Sequence, residues 1–330
     1  MSTAHLVEPH LAAFQEDFSS LRHELAKVVV GQADVIEQVL IAAVAGGHVL
    51  IEGVPGLGKT RLAQTLADVL QLRFSRIQFT PDLTPSDLLG TFVVMETAAG
   101  RRTFEFQQGP IFSNLVLADQ INRGLPKTQS ALLQAMEGEE ISVSTETFHL
   151  PQPFFVVGTQ NPLEMEGTFP LPEPEIDRFF FKLVMKAPSI EELDAILERT
   201  TQSAAAELNT VVDGKRLLEM RQIAAKVVLA APARRWVASL VTATHPTFPQ
   251  APDDVKRYVR YGASPRAAQA MVVAAKVHAA ANGRAEVSRE DFTATIAPAL
   301  RHRILLNFEG QAENIRPESL IDSILKSMKA

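Results

Sequence analysis

The stretch Gly53-Val54-Pro55-Gly56-Leu57-Gly58-Lys59-Thr60 fits the G-x-x-x-x-G-K-[ST] pattern of a phosphate-binding loop. Glycines let backbone amides converge on phosphate oxygens, and a helix starting there adds its positive N-terminal dipole. Lys59 can neutralise β- and γ-phosphates, and the Thr60 hydroxyl can bind Mg²⁺. A chance match in a chain of this length has a probability on the order of one per cent. The alternative is a glycine-rich turn ahead of a capped helix. Position argues against it, because the apolar run His48–Glu52 precedes the loop and a helical pattern, Lys59–Leu70, follows.

Outward from the loop, β-rich runs alternate with helical patterns up to about residue 187, which predicts an α/β fold with a parallel sheet flanked by helices. Besides His48–Glu52, the runs Phe74–Phe79, Leu115–Ala118 and Phe154–Gly158 read as buried strands, and Thr128–Glu137 as a helix. Most of these runs are continuous rather than alternating, as expected when helices cover both faces. Asp119, just past the run Leu115–Ala118, is the candidate second Mg²⁺ ligand, although an Asp there could also be a turn residue.

From about 189 the period changes. Ser189-Ile-Glu-Glu192 is a capping box, Ser264-Pro265 an N-cap followed by proline at N1, and Ser288-Arg-Glu-Asp291 a similar start. Ala267–Ala281 is rich in alanine. The expected organisation is an α/β nucleotide-binding core over 1–187 and an all-helical lid over 188–330.

Composition narrows the remaining classes. A chain of 330 residues suggests about two domains. Zero cysteine excludes disulfide scaffolds, iron–sulfur sites and thiolate zinc ligands. The eight His contain no i,i+4 pair, so a His cage is not expected. A net charge of −6 weighs against a general nucleic-acid binder. The apolar run Val39–Ile51 is too short to cross a bilayer, and no signal peptide is visible, so the expectation is a cytoplasmic protein.

Five motifs in order carry a resemblance to the MoxR family of AAA+ ATPases: the phosphate loop, Leu115–Arg123, Thr159–Pro162, Pro170–Phe179 and Gly262–Arg266. The resemblance runs from Val30-Gly31-Gln32 to Leu300-Arg-His-Arg303. It implies ATP and Mg²⁺ as cofactors and a homo-oligomeric ring, six subunits in the usual case, with ATP at each boundary. Val30, Gly31 and Gln32 would flank the adenine. Asp119 looks like the Walker B metal residue, and Asn161 like sensor 1, which orients the attacking water. Arg178 matches the arginine finger reaching into a neighbour's site. Arg266 matches sensor 2, on the lid across the cleft from the core. Each arginine has a plainer reading. Arg178 could pair with Asp177 at the surface. Arg266 lies in a helix's first turn, where a cation is disfavoured unless something anionic faces it.

Two insertions fit as well. Segment 91–112, with strand-like runs Thr91–Met95 and Thr103–Phe106 about the turn Thr97–Arg101, resembles the helix-2 insert of one AAA+ clade. Glu140–Leu150 looks like the hairpin before sensor 1. By resemblance both would face a central pore or the upper surface, although they could simply cap the sheet.

Position 120 departs from the family, which has Glu where this chain has Gln120. An amide cannot take a proton, and losing a general base costs about 10²–10⁴ in rate. Either the chain is natively slow, or the Gln was introduced into a hydrolysing parent as an ATP trap. The presence of Asn161, Arg178 and Arg266 favours the second. The functional expectation is an ATP-driven remodeller of protein partners, chaperone-like, working with a von Willebrand factor A domain adaptor. The alternatives are a non-hydrolysing ATP-gated scaffold and, with only Arg101-Arg102 inviting it, a nucleic-acid motor.

Overall fold

The computed structural model describes residues 8–96, 102–163, 167–201 and 207–328. The core contains strands β1 (Val49–Glu52), β2 (Phe74–Gln78), β3 (Gly90–Glu96), β4 (Arg102–Gln108), β5 (Leu115–Asp119), β6 (Glu140–Val143), β7 (Glu146–His149), β8 (Phe155–Gln160) and β9 (Phe181–Val184). Its helices are α1 (Glu8–Val28), α2 (Ala33–Ala45), α3 (Lys59–Val69), α4 (Pro85–Leu89), α5 (Pro126–Gly138) and α6 (Glu173–Ile176). Five strands form one parallel sheet in the order β2-β5-β8-β1-β9. All four strands expected from the sequence are present within a residue or two. The edge strand β9 is an addition. It pairs with β1, and Lys182 meets Glu52 across the pair at 2.6 Å.

Side chains alternate between two cores. Val49, Ile51, Leu115, Leu117, Phe155 and Val157 face one hydrophobic cluster, whereas Leu50, Val116, Ala118 and Val156 face the other. Period-two alternation puts successive residues on opposite faces, and both faces are covered. The second cluster holds α5 and the two hairpins, β3–β4 and β6–β7. The hairpins meet through Phe106 and Phe148, stacked with centroids 4.1 Å apart. Turn 97–101 lies outside the described residues.

The C-terminal part contains α7 (Ile190–Thr201), α8 (Gly214–Ala225), α9 (Ala231–Ala243), α10 (Asp253–Tyr258), α11 (Pro265–Ala281), α12 (Arg289–Thr293), α13 (Ile296–Leu300), α14 (Phe308–Ala312) and α15 (Pro317–Ser327). The capping signals operate as read. Ser189 N–H donates to Glu192 and Glu192 N–H to the Ser189 hydroxyl, Ser264 caps α11, and Ser288 with Asp291 forms a full capping box. The lid is helical as expected, with one short addition. Strands β10 (Val259–Tyr261) and β11 (Leu305–Leu306) make a short antiparallel ladder, too brief to leave a periodic signal. The first hydrophobic cluster also runs from α1, α2 and α3 into α8, α9 and α11, so the core's own N-terminal helices bury their faces against the lid.

Candidate nucleotide site

Parallel register brings three sequence motifs to one end of the sheet. Glu52, Gln160 and Asp119 end neighbouring strands, with Glu52 paired to Gln160 and Ala118 to Gly158. The phosphate loop therefore leaves β1 beside the segments carrying Asn161 and Asp119. Gly56 and Gly58 have φ of 87° and 84°, which glycine adopts without strain, and a Cβ on either would meet only open space. Gly58 is the N-cap of α3, so the helix begins at Lys59 and Thr60. The Lys59 ammonium is turned onto its own loop, donating to the carbonyls of Gly53 and Val54. Open glycines, a helix start and a loop lysine fit a triphosphate.

Asp119 is buried. One carboxylate oxygen accepts from Arg76 Nη2 at 2.7 Å and Nε at 3.1 Å, and the other from the Thr159 hydroxyl at 2.7 Å. A hard oxygen donor at this strand end, with the Thr60 hydroxyl at the start of α3, is the donor chemistry Mg²⁺ takes. Gln120 has left-handed backbone, φ 54°, and its amide N–H donates to the same Thr159 hydroxyl. Its side-chain oxygen accepts from Gln78 at 3.0 Å and Arg123 at 3.3 Å. Asn161 is buried, and its side-chain oxygen accepts from Leu163 N–H. Arg76 and Gln78 carry no motif, and Thr159, the first residue of the motif Thr159–Pro162, gains its role only from this geometry. The available signal was two polar residues, Arg76 and Gln78, flanking buried Ile77 inside a parallel strand.

Val30, Gly31 and Gln32 lie between α1 and α2. Gly31 has φ 72°, and a Cβ there would fall 2.5 Å from the Glu192 carboxylate carbon. Gln32 is buried, donating to the Lys186 carbonyl at 2.9 Å, which ties this turn to the segment after β9.

Arg178 and Arg266 are together, but not here. Both bind Glu137 at the end of α5: Arg266 at 2.6 Å and Arg178 at 3.2 Å. They line a cavity of about 300 Å³ with Gly47, His48, Asp177 and Arg303. His48 precedes β1 and the phosphate loop follows it, so the strand's own length separates the two places by roughly 13 Å. His48 Nδ1 accepts from Val156 N–H while Nε2 donates to the Met136 carbonyl, fixing α5 against the base of the sheet. Burial pushes this ring down to about 4, so it is neutral. Asp177 binds Arg303 at 2.7 Å and the Ser264 hydroxyl at 2.9 Å, and lies 3.6 Å from Arg266. The simple Asp177–Arg178 pair is therefore not formed. Arg266, read as sensor 2, is ion-paired with Glu137 at this end of the sheet. The anions that face this first-turn cation are Glu137 and Asp177.

Among the described residues no helix is long and apolar enough to cross a membrane, and no three His, Asp or Glu gather into a metal cage.

Comparison with known proteins agrees with this architecture. Residues 48–181 match the ATPase family associated with various cellular activities (AAA), and 252–324 match the AAA lid domain. Chaperone MoxR1 of Mycobacterium tuberculosis is 40% identical over 92% of this chain and 80% of its own length. Protein MoxR of Paracoccus denitrificans is 30% identical over 96% of this chain and 97% of its own. The crystal structure of an ATPase candidate from Cytophaga hutchinsonii superposes with a TM-score of 0.88 at 38% identity, covering 96% of both chains. Core and lid each match a family model, relatives named MoxR align over nearly all of this chain, and the chain belongs to the MoxR family of AAA+ ATPases.

Proposed function

We propose that this protein uses ATP in a homo-oligomeric ring to remodel protein partners, with each nucleotide site completed by the next subunit. One observation carries the reading. The phosphate loop lies at one end of the sheet, and Arg178 and Arg266 share a carboxylate at the other. Such a molecule supplies arginines to a neighbour by head-to-tail contact, and repeated contact of that kind closes into a ring. Six subunits are the family's usual number.

In this arrangement Lys59 leaves its own carbonyls for the β- and γ-phosphates, and the Gly56–Gly58 backbone cradles them. Thr60 and Asp119 would hold Mg²⁺, which neutralises charge on the phosphate oxygens when bound. Asn161 orients the attacking water, and Arg178 and Arg266 of the neighbour exchange Glu137 for the γ-phosphate. Val30, Gly31 and Gln32 border the adenine. Gln120 stands where a general base would act, and its amide accepts no proton, so hydrolysis is slow in this chain. The same residue favours one second reading, a ring gated by ATP binding without turnover.

Partners follow from the family: a protein substrate and an adaptor with a von Willebrand factor A domain, met in the cytoplasm at the surface carrying the two hairpins. Light scattering with and without Mg·ATP tests the assembly. Growth from small species to a ring supports it, and a monomer at micromolar protein with saturating nucleotide contradicts it.

A further inference from the structure

Two surfaces of this chain are complementary and lie at opposite ends of α2. The first is on α7. Ile190, Leu193 and Leu197 are spaced i, i+3, i+7, which puts them on one stripe, and they are 84%, 48% and 53% exposed. Exposed carboxylates of Glu191, Asp194 and Glu198 run along one side of that stripe. The opposite face holds the helix to the body, where Glu192 caps its start and Arg199 donates to the carbonyls of Ala26 and Lys27.

The second surface is a groove of about 300 Å³ between α2, α8 and α11. Its floor is apolar, from Val44, Ala224, Val272 and Val273, with Val273 39% exposed. Two cations also line it, Arg221 and Lys276, whose hydrogen bonds go to the carbonyls of Val44 and Ala225. Among the described residues neither makes a salt bridge. An apolar slot with two cations that form no salt bridge among the described residues, Arg221 feeling only the charge of Glu139 without contact, fits an apolar helix edge flanked by acids.

Position supports the match. α7 packs beside Gly31 and Gln32, at the N-terminal end of α2 and near the phosphate loop. The groove lies at the other end of α2, about 20 Å away along its 13 residues. It shares Ala45 and Val273 with the cavity holding Arg178 and Arg266. A contact that carries those arginines to a neighbour's nucleotide therefore carries the groove toward the same neighbour's α7.

We infer that the Ile190–Leu193–Leu197 edge of α7 docks in the Val44–Val273 groove of the adjacent copy of this chain, with Asp194 and Glu198 facing Arg221 and Lys276. The inference rests on the ring reading above and names its contact. One patch on each face makes the interface heterologous, so every subunit gives one contact and receives one.

The test uses two full-length variants, Leu193→Asp on α7 and Val273→Asp in the groove, sized by light scattering in Mg·ATP beside the parent. Each alone should need at least about tenfold more protein to assemble, while binding of a fluorescent ATP analogue by the monomer stays unchanged. Mixed in equal amounts, they should form pairs and stop there, because each retains the patch the other lacks. Parent-like assembly by either variant, or a mixture that stays monomeric, overturns this contact while leaving the ring intact. A parent that itself stays monomeric overturns the ring and the contact together.

Discussion

Arg76 donates two hydrogen bonds to a single oxygen of Asp119, at 2.7 and 3.1 Å, from the neighbouring strand β2. With Thr159 on the other oxygen, both halves of this buried carboxylate are engaged by protein donors. A buried charge that loses its partner is costly unless another cation replaces it.

Arg76→Ala should therefore lower the melting temperature of the free protein and enlarge the rise produced by Mg·ATP. The measurement is the thermal shift of both forms with Mg·ATP and with ATP plus chelator. Equal Mg-dependent shifts would mean that Arg76 does not compensate Asp119.

The shared carboxylate of Glu137 predicts complementation between subunits. In the Gln120→Glu background, Lys59→Ala removes a subunit's own phosphate contact, and Arg178→Ala with Arg266→Ala removes what it lends. Loss of a charged hydrogen bond costs about 1.5–3 kcal/mol, so Lys59→Ala should lose roughly ten- to a hundredfold in turnover and the form lacking both arginines more. A mixture should turn over faster than either form, since some junctions join an intact loop to intact arginines. A mixture no faster than the average of the two would place the arginines' action within one chain.

The packing of α11 against α2 and α12 carries a pH signature. His278 Nδ1 is 2.7 Å from Asp291 and Nε2 is 3.3 Å from Glu37, while Arg284 also binds Asp291 at 2.7 Å. The hydrogen bond to Asp291, then that to Glu37, lifts this ring against its burial from the ordinary 6.5 to about 9. A raised folded value means stability that is complete below 6.5 and lost as pH rises through about 9. The expected loss is on the order of 1–2 kcal/mol once solvent screening is allowed for. Urea midpoints between pH 6 and 9.5 should fall more steeply for the parent than for His278→Gln. Parallel curves would remove His278 from the account.

Much of the fold was legible because its signals are local. Four buried strands, the loop Gly53–Thr60 and three capped helix starts each sit within a dozen residues. What escaped was short or distant. β9 follows Arg178 with no turn residue to mark it, and its Lys182 interrupts the apolar run to meet Glu52. β10 and β11 are three and two residues long. Glu137 reads in sequence as one of several acids ending α5, and its bridge between Arg178 and Arg266 exists only after three remote segments pack together. Arg303 is buried against Asp177 and the carbonyls of Phe179 and Phe180, partners more than a hundred residues away in sequence.

Gln120 remains the decisive position. Asp119, Lys59, Thr60 and Asn161 share its end of the sheet, and Gln78 and Arg123 hold its side chain in place. A carboxylate of nearly the same shape would accept the same two hydrogen bonds and also take a proton from water. Phosphate release by the Gln120 chain and by Gln120→Glu, at equal protein and saturating Mg·ATP, measures the difference. Gln120→Glu should gain at least about a hundredfold with little change in ATP affinity. Equal rates would contradict it, showing that hydrolysis in this ring does not depend on a base at residue 120.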